Sequence, residues 1–291
     1  MRTLITGAGG QLGLDLVEAF ADHDLVALSR DELDVGDEPA VAGVVDEGGF
    51  DLVVNTASWT DVDGCESDPD RAHVVHALGP WWLARACHRT GATLVTISTD
   101  YVFGDQPGRG PDGLLRGWTE FDAPAPLNVY GRSKVAGEQL VRETLQRHHI
   151  VRTAWLAGAR GTNFVRTILR LADERDELRV VEDEVGSPTF TRDLAAALRE
   201  LAVTGRYGTH HRVNAGSCSR HELAATTLEL AGRSTPVRPI GRGELHRPAP
   251  RPAFGVLDDR HTVLAGASPL PPWQDGLRRM LEELGELAGP R

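Results

Sequence analysis

The chain has 291 residues, 41% of them hydrophobic and 25% charged, with a formal net charge of −11, which is typical of a globular protein of one elaborated domain or two. This acidic balance argues against nucleic acid as a partner, because no basic surface could dominate such a field. The sequence lacks the pattern of a signal peptide or a membrane span. Its three scattered cysteines are too few for a disulfide framework or a zinc site. We therefore expect a cytoplasmic protein without a membrane partner or a metal.

The first half of the chain alternates short apolar runs with amphipathic stretches, which is the pattern of a parallel sheet covered by helices. The predicted strands are residues 3–6, 25–28, 51–55, 93–98 and 150–153. The predicted helices are residues 11–21, 39–47, 69–89 and 128–147. We therefore predict an α/β fold in which residues 1–153 form a Rossmann-type dinucleotide-binding domain with a doubly wound parallel sheet.

The pattern loosens after residue 153 into helices with short strands between them. The predicted helices are residues 164–174, 191–202, 219–231 and 273–287. We predict that residues 154–291 form mainly a smaller, partly discontinuous α/β domain that binds the substrate, with some segments returning to the first sheet. Residues 104–126 are rich in glycine and proline and lack periodicity, so they are either a functional lid or a solvated insertion.

A glycine-rich turn follows the first predicted strand and opens the first helix. Gly7, Gly10 and Gly13 allow a tight turn, a close approach of backbone to a pyrophosphate, and close packing of the helix, whose N-terminus favours an anion. The turn therefore predicts a dinucleotide site, although such turns also occur for steric reasons alone. Arg30 follows the second strand and can pair with a 2′-phosphate, which favours NADPH over NADH, while an ordinary surface arginine is the alternative.

Lys134 is the only lysine in the chain, and it stands four residues after Tyr130, one of three tyrosines. A catalytic role explains why this arginine-rich chain has a lysine at position 134. An ammonium is a compact charge that can release a proton, and a guanidinium has neither property. One helical turn apart, both side chains would point toward the end of the fourth strand, where Ser98 and Thr99 present hydroxyls. These four residues are the predicted catalytic group, and a surface pair on one helix is the alternative for Tyr130 and Lys134.

Two arginines near the C-terminus, Arg247 and Arg251, lie in a proline-rich stretch that can form neither a regular helix nor a central strand. A stiff segment of this kind can hold guanidinium groups against a nucleotide diphosphate. We therefore count Arg251 among the predicted substrate contacts. Ordinary surface positions are the alternative for both side chains.

A strand-end hydroxyl combined with a tyrosine and a lysine resembles the catalytic set of the short-chain dehydrogenase/reductases, and the length of the chain is similar to the extended branch of that superfamily. Within that branch, the sequence resembles the dTDP-4-dehydrorhamnose reductases over essentially its whole length. The resemblance is carried by residues 54–63, 98–103, 126–134, 152–155, 163–164, 186–189, 247–252 and 272–277.

This resemblance implies reduction of the C4 ketone of a dTDP-4-keto-6-deoxysugar, dTDP-4-dehydro-L-rhamnose, by NADPH. It implies that Tyr130 is the general acid and that Lys134 makes its proton more acidic and orients the nicotinamide ribose. Thr99, with Ser98 behind it, would polarise the ketone, and Asp100 and Trp155 would contact the sugar nucleotide. The implied cofactor contacts are Gly10, Gln11, Leu12, Asp34, Val35, Ala57, Ser58, Trp59 and Thr60.

The sequence departs from the family pattern in the helix after the third strand, where relatives carry an Asn and this chain has His76. An imidazole can form similar hydrogen bonds, so we expect an effect on rate and not on the class of reaction. Two other functions stay open: a ketoreductase of another deoxysugar pathway, and a noncatalytic NADP-binding regulatory subunit. A homodimer is also left open.

Overall fold

The computed structural model describes residues 1–110 and 112–289. Its strands are β1 (Arg2–Thr6), β2 (Asp24–Leu28), β3 (Leu52–Asn55), β4 (Thr93–Thr99), β5 (His148–Thr153), β6 (Leu156–Ala157), β7 (Leu178–Val181), β8 (Val185–Gly186), β9 (Thr189–Phe190), β10 (Gly208–His211), β11 (Cys218–Ser219), β12 (Val237–Ile240) and β13 (Phe254–Gly255). Its α-helices are α1 (Gln11–Ala19), α2 (Glu38–Gly48), α3 (Val62–Ser67), α4 (Pro69–His73), α5 (Gly79–Thr90), α6 (Val129–Thr144), α7 (Phe164–Glu174), α8 (Thr191–Ala202), α9 (Arg220–Leu230), α10 (Arg260–Leu264) and α11 (Trp273–Leu284).

The large sheet has six parallel strands in the order β10-β5-β4-β3-β1-β2. Side chains on each strand alternate between two buried faces, as in β1, where Leu4 packs toward α2, α5 and α6 and Ile5 packs toward α1 and α8. Burial of both faces explains the nearly continuous apolar runs in the sequence. The predicted doubly wound α/β fold is confirmed, and the bounds of the five predicted strands agree with the structure to within two residues.

The chain returns to this sheet late, because α8 packs on α1 and β10 adds to the free edge of β5. A second hydrophobic core lies among α7, α9, α11 and β7, centred on the buried indole of Trp273 and the side chains of Leu277 and Leu223. Three short strands, β11, β8 and β13, form a small sheet beside this core. The division of the chain at residue 153 stays a prediction. None of the described helices is long and apolar enough to cross a membrane.

The segment 104–126 follows β4 and is held down by Trp118, which stacks on Phe103 with ring centroids 4.7 Å apart. The Trp118 backbone exchanges hydrogen bonds with Val256 and Asp258, and its indole donates to the Phe254 carbonyl at 3.0 Å. None of the described residues of this segment lines the cofactor cleft treated below. This placement favours an anchored insertion over a lid. Pro111 lies outside the described residues.

Four histidines, His148 and His149 on β5 and His210 and His211 on β10, are buried at the edge of the large sheet. The Nδ1 atom of His149 lies 3.3 Å from the Nε2 atom of His210. Burial lowers the pKa of His149 to about 3, helped by the neighbouring His210 and His148. The cluster is therefore packed in its neutral form and resists protonation.

We predict that this histidine cluster makes the fold sensitive to acid. The pKa of His149 is lower in the folded chain than its ordinary value of 6.5, so the unfolded chain binds more protons below pH 6.5 and stability falls as the pH drops from there toward 3. At pH 4 the loss from His149 alone is about 3 kcal/mol. Urea unfolding of His149→Leu at pH 7.5 and pH 4 should show a smaller loss than wild type, whereas the exposed control His88→Leu should follow wild type. Equal losses in all three proteins would contradict the prediction.

Candidate active site

A deep cleft crosses the carboxyl ends of β1, β3, β4 and β5, where parallel α/β sheets bind ligands. It consists of two adjoining cavities of about 570 and 370 Å³, here the first and the second cavity. Predicted site residues that line the first cavity are Gly10, Gln11, Leu12, Gly13, Ser58, Thr60, Ser98, Thr99, Asp100, Tyr130, Lys134 and Trp155. Predicted site residues that line the second cavity are Gly7, Gly10, Arg30, Asp34, Val35, Ala57, Ser58 and Trp59.

The glycine turn between β1 and α1 forms the floor shared by both cavities. Gly7 has a φ of 71°, and a Cβ atom there would lie 2.7 Å from the Ala57 backbone nitrogen. A Cβ atom at Gly13 would collide with the carbonyl oxygen of Gly7. Both positions therefore require glycine. The resulting close packing leaves the N-terminus of α1 open to the first cavity, and this arrangement suits a pyrophosphate.

The second cavity ends at the carboxyl end of β2. Arg30 lines it with an exposed guanidinium 3.8 Å from Asp34. A second cation, Arg71, lies over the Trp59 ring at 4.1 Å from its centroid. The sequence pattern did not reveal that Glu32 accepts hydrogen bonds from both the amide and the hydroxyl of Ser29, at 2.8 and 2.7 Å. The second cavity therefore has two arginines in its lining, and the carboxylate of Glu32 is fixed beside it on Ser29.

Tyr130 and Lys134 lie one turn apart on α6, and both face the first cavity. The Asn128 side chain caps the helix by accepting a hydrogen bond from the Gly131 amide at 2.8 Å. The Lys134 ammonium donates to the Ile97 carbonyl at 3.2 Å, and burial lowers its pKa to about 8. Burial and the charge of Asp100 raise the pKa of the Tyr130 phenol, and hydrogen bonding to Ser58 and Thr99 opposes this shift only in part.

Ser98 and Thr99 are neighbours on β4, but their hydroxyls have different partners. Thr99 donates to the Asp100 carboxylate at 3.0 Å, and its oxygen accepts from the Tyr101 amide at 3.2 Å. Ser98 donates to the buried Glu138 at 2.5 Å. Each hydroxyl therefore has its single proton committed. Ser98 is bound to a buried carboxylate behind the strand, whereas the partner of Thr99, Asp100, lines the first cavity, so Thr99 is the hydroxyl that a ligand can recruit from its present partner.

Glu138 is held ionised behind the site by Arg152. The guanidinium donates to both carboxylate oxygens, at 2.9 and 2.6 Å, and both side chains are buried. Burial alone would raise the pKa of Glu138, but the bonds from Arg152 and Ser98 outweigh it and lower the pKa. A bidentate pair of this kind fixes a charge within the protein near Lys134.

His76 lies in a π-helical turn (Val74–Leu78) between α4 and α5. Its Nε2 atom accepts from the Trp59 amide at 3.0 Å, so the ring proton is on Nδ1, which faces the Ser133 hydroxyl at 2.9 Å. Ser133 in turn donates to the Tyr130 carbonyl at 2.8 Å. Burial lowers the pKa of His76 to about 2, so it stays neutral. His76 thereby connects the cofactor loop at Trp59 to the backbone of Tyr130.

The predicted substrate contacts fall into two groups. Asp100 and Trp155 line the first cavity with Thr99, and burial raises the pKa of Asp100 to about 7. Trp155 is the one described residue other than glycine with a positive φ, 47°, a strained backbone of the kind found at functional sites. Arg251 instead lines a third cavity and forms a bidentate ion pair with Asp63 at 2.6 and 2.8 Å. The structure therefore separates Arg251 from the other three.

Sequence reasoning missed Arg220, the first residue of α9. Its guanidinium carbon lies 3.6 Å from the centroid of the Trp155 ring, inside the first cavity. No local pattern distinguishes this residue from a surface arginine at a helix start. Its place depends on the packing of α9 beside the small sheet, which a spacing of residues cannot reveal.

Comparisons with known proteins agree with this architecture. The family model described as RmlD substrate binding domain matches residues 1–286. The dTDP-4-dehydrorhamnose reductase of Mycobacterium tuberculosis is 43% identical over 96% of this chain and 92% of its own length. The dTDP-4-keto-6-deoxy-D-glucose reductase of Streptomyces niveus is 38% identical, with 95% of each chain covered.

The crystal structure of dTDP-4-dehydrorhamnose reductase from Bacillus anthracis in complex with NADP is also similar. It has a TM-score of 0.91 and 40% sequence identity, and the match covers 97% of this chain and 99% of that chain. The likeness thus extends through the glycine turn, the Tyr130 helix and the C-terminal elements together. The chain therefore belongs to the dTDP-4-dehydrorhamnose reductase family.

Proposed function

We propose that the protein transfers hydride from NADPH to the C4 ketone of dTDP-4-dehydro-L-rhamnose and so forms dTDP-L-rhamnose. The observation that carries this proposal is the convergence of Tyr130, Lys134 and Thr99 on one cavity next to the glycine turn. The similar reductase of M. tuberculosis bears the name of this reaction. A protein that only binds a dinucleotide has no chemical need for all three side chains, which disfavours the regulatory alternative.

The cleft has the shape and charge for the cofactor. The N-terminus of α1 suits the pyrophosphate, while Asp34 and Val35 line the far end of the second cavity, where the adenosine would lie. Arg30 and Arg71 are the cations available there for a 2′-phosphate. The similar B. anthracis structure contains NADP, so NADPH is the proposed cofactor, with NADH as the alternative. When bound, the reduced nicotinamide supplies the hydride.

Tyr130 donates the proton in this proposal. As hydride reaches C4, the two carbonyl electrons move to oxygen, and the phenolic proton of Tyr130 neutralises the alkoxide that develops. The sequence led us to expect a lowered phenol pKa, but in the protein alone burial raises it. The raised pKa keeps the proton on Tyr130 until the alkoxide forms, and an alkoxide is a much stronger base than a phenolate.

Lys134 and Thr99 complete the proposed mechanism. The ammonium of Lys134 lies 5.9 Å from the centroid of the Tyr130 ring, where its charge favours the phenolate left after proton transfer. The Thr99 hydroxyl donates to the ketone oxygen and stabilises its negative charge. To do so it must give up its bond to Asp100. The raised pKa of Asp100, about 7, eases that exchange, because a protonated carboxyl is a weaker acceptor for the Thr99 proton than a carboxylate.

The first prediction from this proposal concerns the acid. Tyr130→Phe should lower kcat by roughly 10² to 10⁴, because the proton donor is removed, while NADPH binding, followed by quenching of tryptophan fluorescence, should stay near wild type. Tyr207→Phe is a matched control, since Tyr207 is exposed and remote from the cleft. Turnover of Tyr130→Phe comparable with that of the control would exclude Tyr130 as the acid.

The second prediction concerns pH. The charged form of Lys134 dominates below its pKa of about 8, so kcat/KM should fall as the pH rises through this value. Arg keeps its charge at all accessible pH values, so Lys134→Arg should lose this falling limb even if its overall rate is low. In Asp100→Asn the fall of kcat/KM near pH 8 should remain, which separates the titration of Lys134 from that of Asp100. If kcat/KM of Lys134→Arg still fell near pH 8, the fall would belong to the titration of another group.

The third prediction concerns His76 as a positioning residue. His76→Ala leaves the partly buried Trp59 amide without its acceptor, so we expect a loss of about 1 to 2 kcal/mol in the free energy of unfolding and a lower kcat. His76→Asn can accept from the same amide and should restore most of the kcat. If both variants lost stability equally and neither regained kcat, the bracing role would be wrong.

A reductase acting on a different dTDP-4-keto-deoxysugar is the second candidate, and the S. niveus relative with that kind of name favours it. The two candidates differ in the sugar and in the configuration at C4, not in the catalytic residues. Incubating the purified protein with NADPH and each dTDP-4-keto-6-deoxysugar, and determining the C4 configuration of the product by NMR, decides between them. Tyr130, Lys134 and Thr99 have the same roles in either case.

A further inference from the structure

The first cavity adjoins the third cavity, a space of about 370 Å³ beside α7 and β7. Three residues line both cavities: Tyr101, Phe164 and Arg220. They stand at the boundary between the two cavities, and we call them the neck. A ligand with its ketone beside Tyr130 and its other end in the third cavity must pass this neck.

Most arginines near the third cavity already have an acidic partner. Arg247 forms an ion pair with Glu184, and Arg251 forms its bidentate pair with Asp63. Arg179 forms an ion pair with Glu244. Ion pairing of these side chains lowers their capacity to bind a further anion, because each new partner must compete with a carboxylate already in place.

Arg220 differs from these arginines. Its guanidinium lies over the Trp155 ring and 5.0 Å from the centroid of Phe164. Within the described part of the chain the guanidinium forms no hydrogen bond and no ion pair, and Glu184 and Asp100 act on it only through their charges. Aromatic rings pack against the guanidinium, and its N–H groups, which lie in its plane, are left for a ligand at the neck.

A half-buried cation without a partner is costly, because the surrounding protein replaces water without returning hydrogen bonds. Such a side chain persists where a ligand supplies the missing anion. The planar fork of donors fits the oxygens of a phosphate or diphosphate. The strained backbone of Trp155 and the packing of its indole against Gly186 hold the stacking surface in place. The neck is thus built before any ligand arrives.

We propose that Arg220 binds the diphosphate of the nucleotide sugar at the neck and thereby sets how far the sugar reaches toward Tyr130. This inference rests on the proposed function, since it takes the substrate to be a nucleotide diphosphate. It moves the diphosphate contact away from Arg247 and Arg251, which the sequence suggested. The nucleoside then occupies the third cavity, and the sugar occupies the first cavity between Thr99 and Trp155.

Two substitutions test the proposal with dTDP, dTMP and thymidine as probes in calorimetry. Arg220→Gln removes the charge and should weaken dTDP binding about ten- to a hundredfold, with a smaller loss for dTMP and less than a twofold change for thymidine. Arg220→Lys keeps the charge without the fork and should lie between Arg220→Gln and wild type. Arg278→Gln, an equal change of charge at an exposed position of α11, should bind dTDP like wild type.

Kinetics separate this proposal from the proposed function. In Arg220→Gln the KM for the dTDP-keto sugar should rise by about the factor lost in dTDP binding, while NADPH affinity stays constant and shows that the variant is folded. Turnover by wild type with an unchanged KM in Arg220→Gln would overturn the Arg220 proposal and leave the reductase proposal standing. Binding of dTDP that depends on Arg220, without turnover of any keto sugar, would support Arg220 and overturn the reductase proposal.

Discussion

The active site depends on one enclosed charge, the ammonium of Lys134. Among the described residues, only the Ile97 carbonyl accepts a hydrogen bond from it, and burial lowers its pKa from 10.5 to about 8. Keeping it charged at neutral pH therefore costs about 3 kcal/mol of folding stability. The ionised Glu138 raises the Lys134 pKa but does not cancel the effect of burial. The rest of the fold must supply this energy, and such a cost is typical of a functional site.

Neutral groups hold the geometry around this charge. His76 stays uncharged and connects the Trp59 amide to the carbonyl of Tyr130 through Ser133. A charged group in its place would shift the pKa of Lys134. A neutral imidazole holds the backbone of Trp59 and Tyr130 in position without adding a charge near the ammonium. The π-helical turn that carries His76 brings its ring to the protein interior against Tyr130, 5.1 Å between ring centroids.

The arginine-rich composition has a structural explanation beside its functional one. Arginine side chains connect distant segments through carboxylates, as Arg251 does with Asp63 and Arg247 with Glu184. Planar bidentate pairing makes arginine better suited to this task than lysine. Where a guanidinium lacks a carboxylate and stacks on aromatic rings instead, as Arg220 does, its donors are left for a ligand. A carboxylate partner thus sets Arg247 and Arg251 apart from Arg220.

Local patterns were sufficient to predict the parallel sheet, the glycine turn and the pairing of Tyr130 with Lys134, because strand periodicity, turn chemistry and helical spacing act between near neighbours in sequence. Contacts between distant segments could not be predicted this way. The turning of Ser98 toward Glu138, the commitment of Arg251 to Asp63 and the stacking of Arg220 on Trp155 all join residues 40 or more positions apart. Such partners are chosen by packing, which also decides which hydroxyl, carboxylate or guanidinium is still free when the chain has folded.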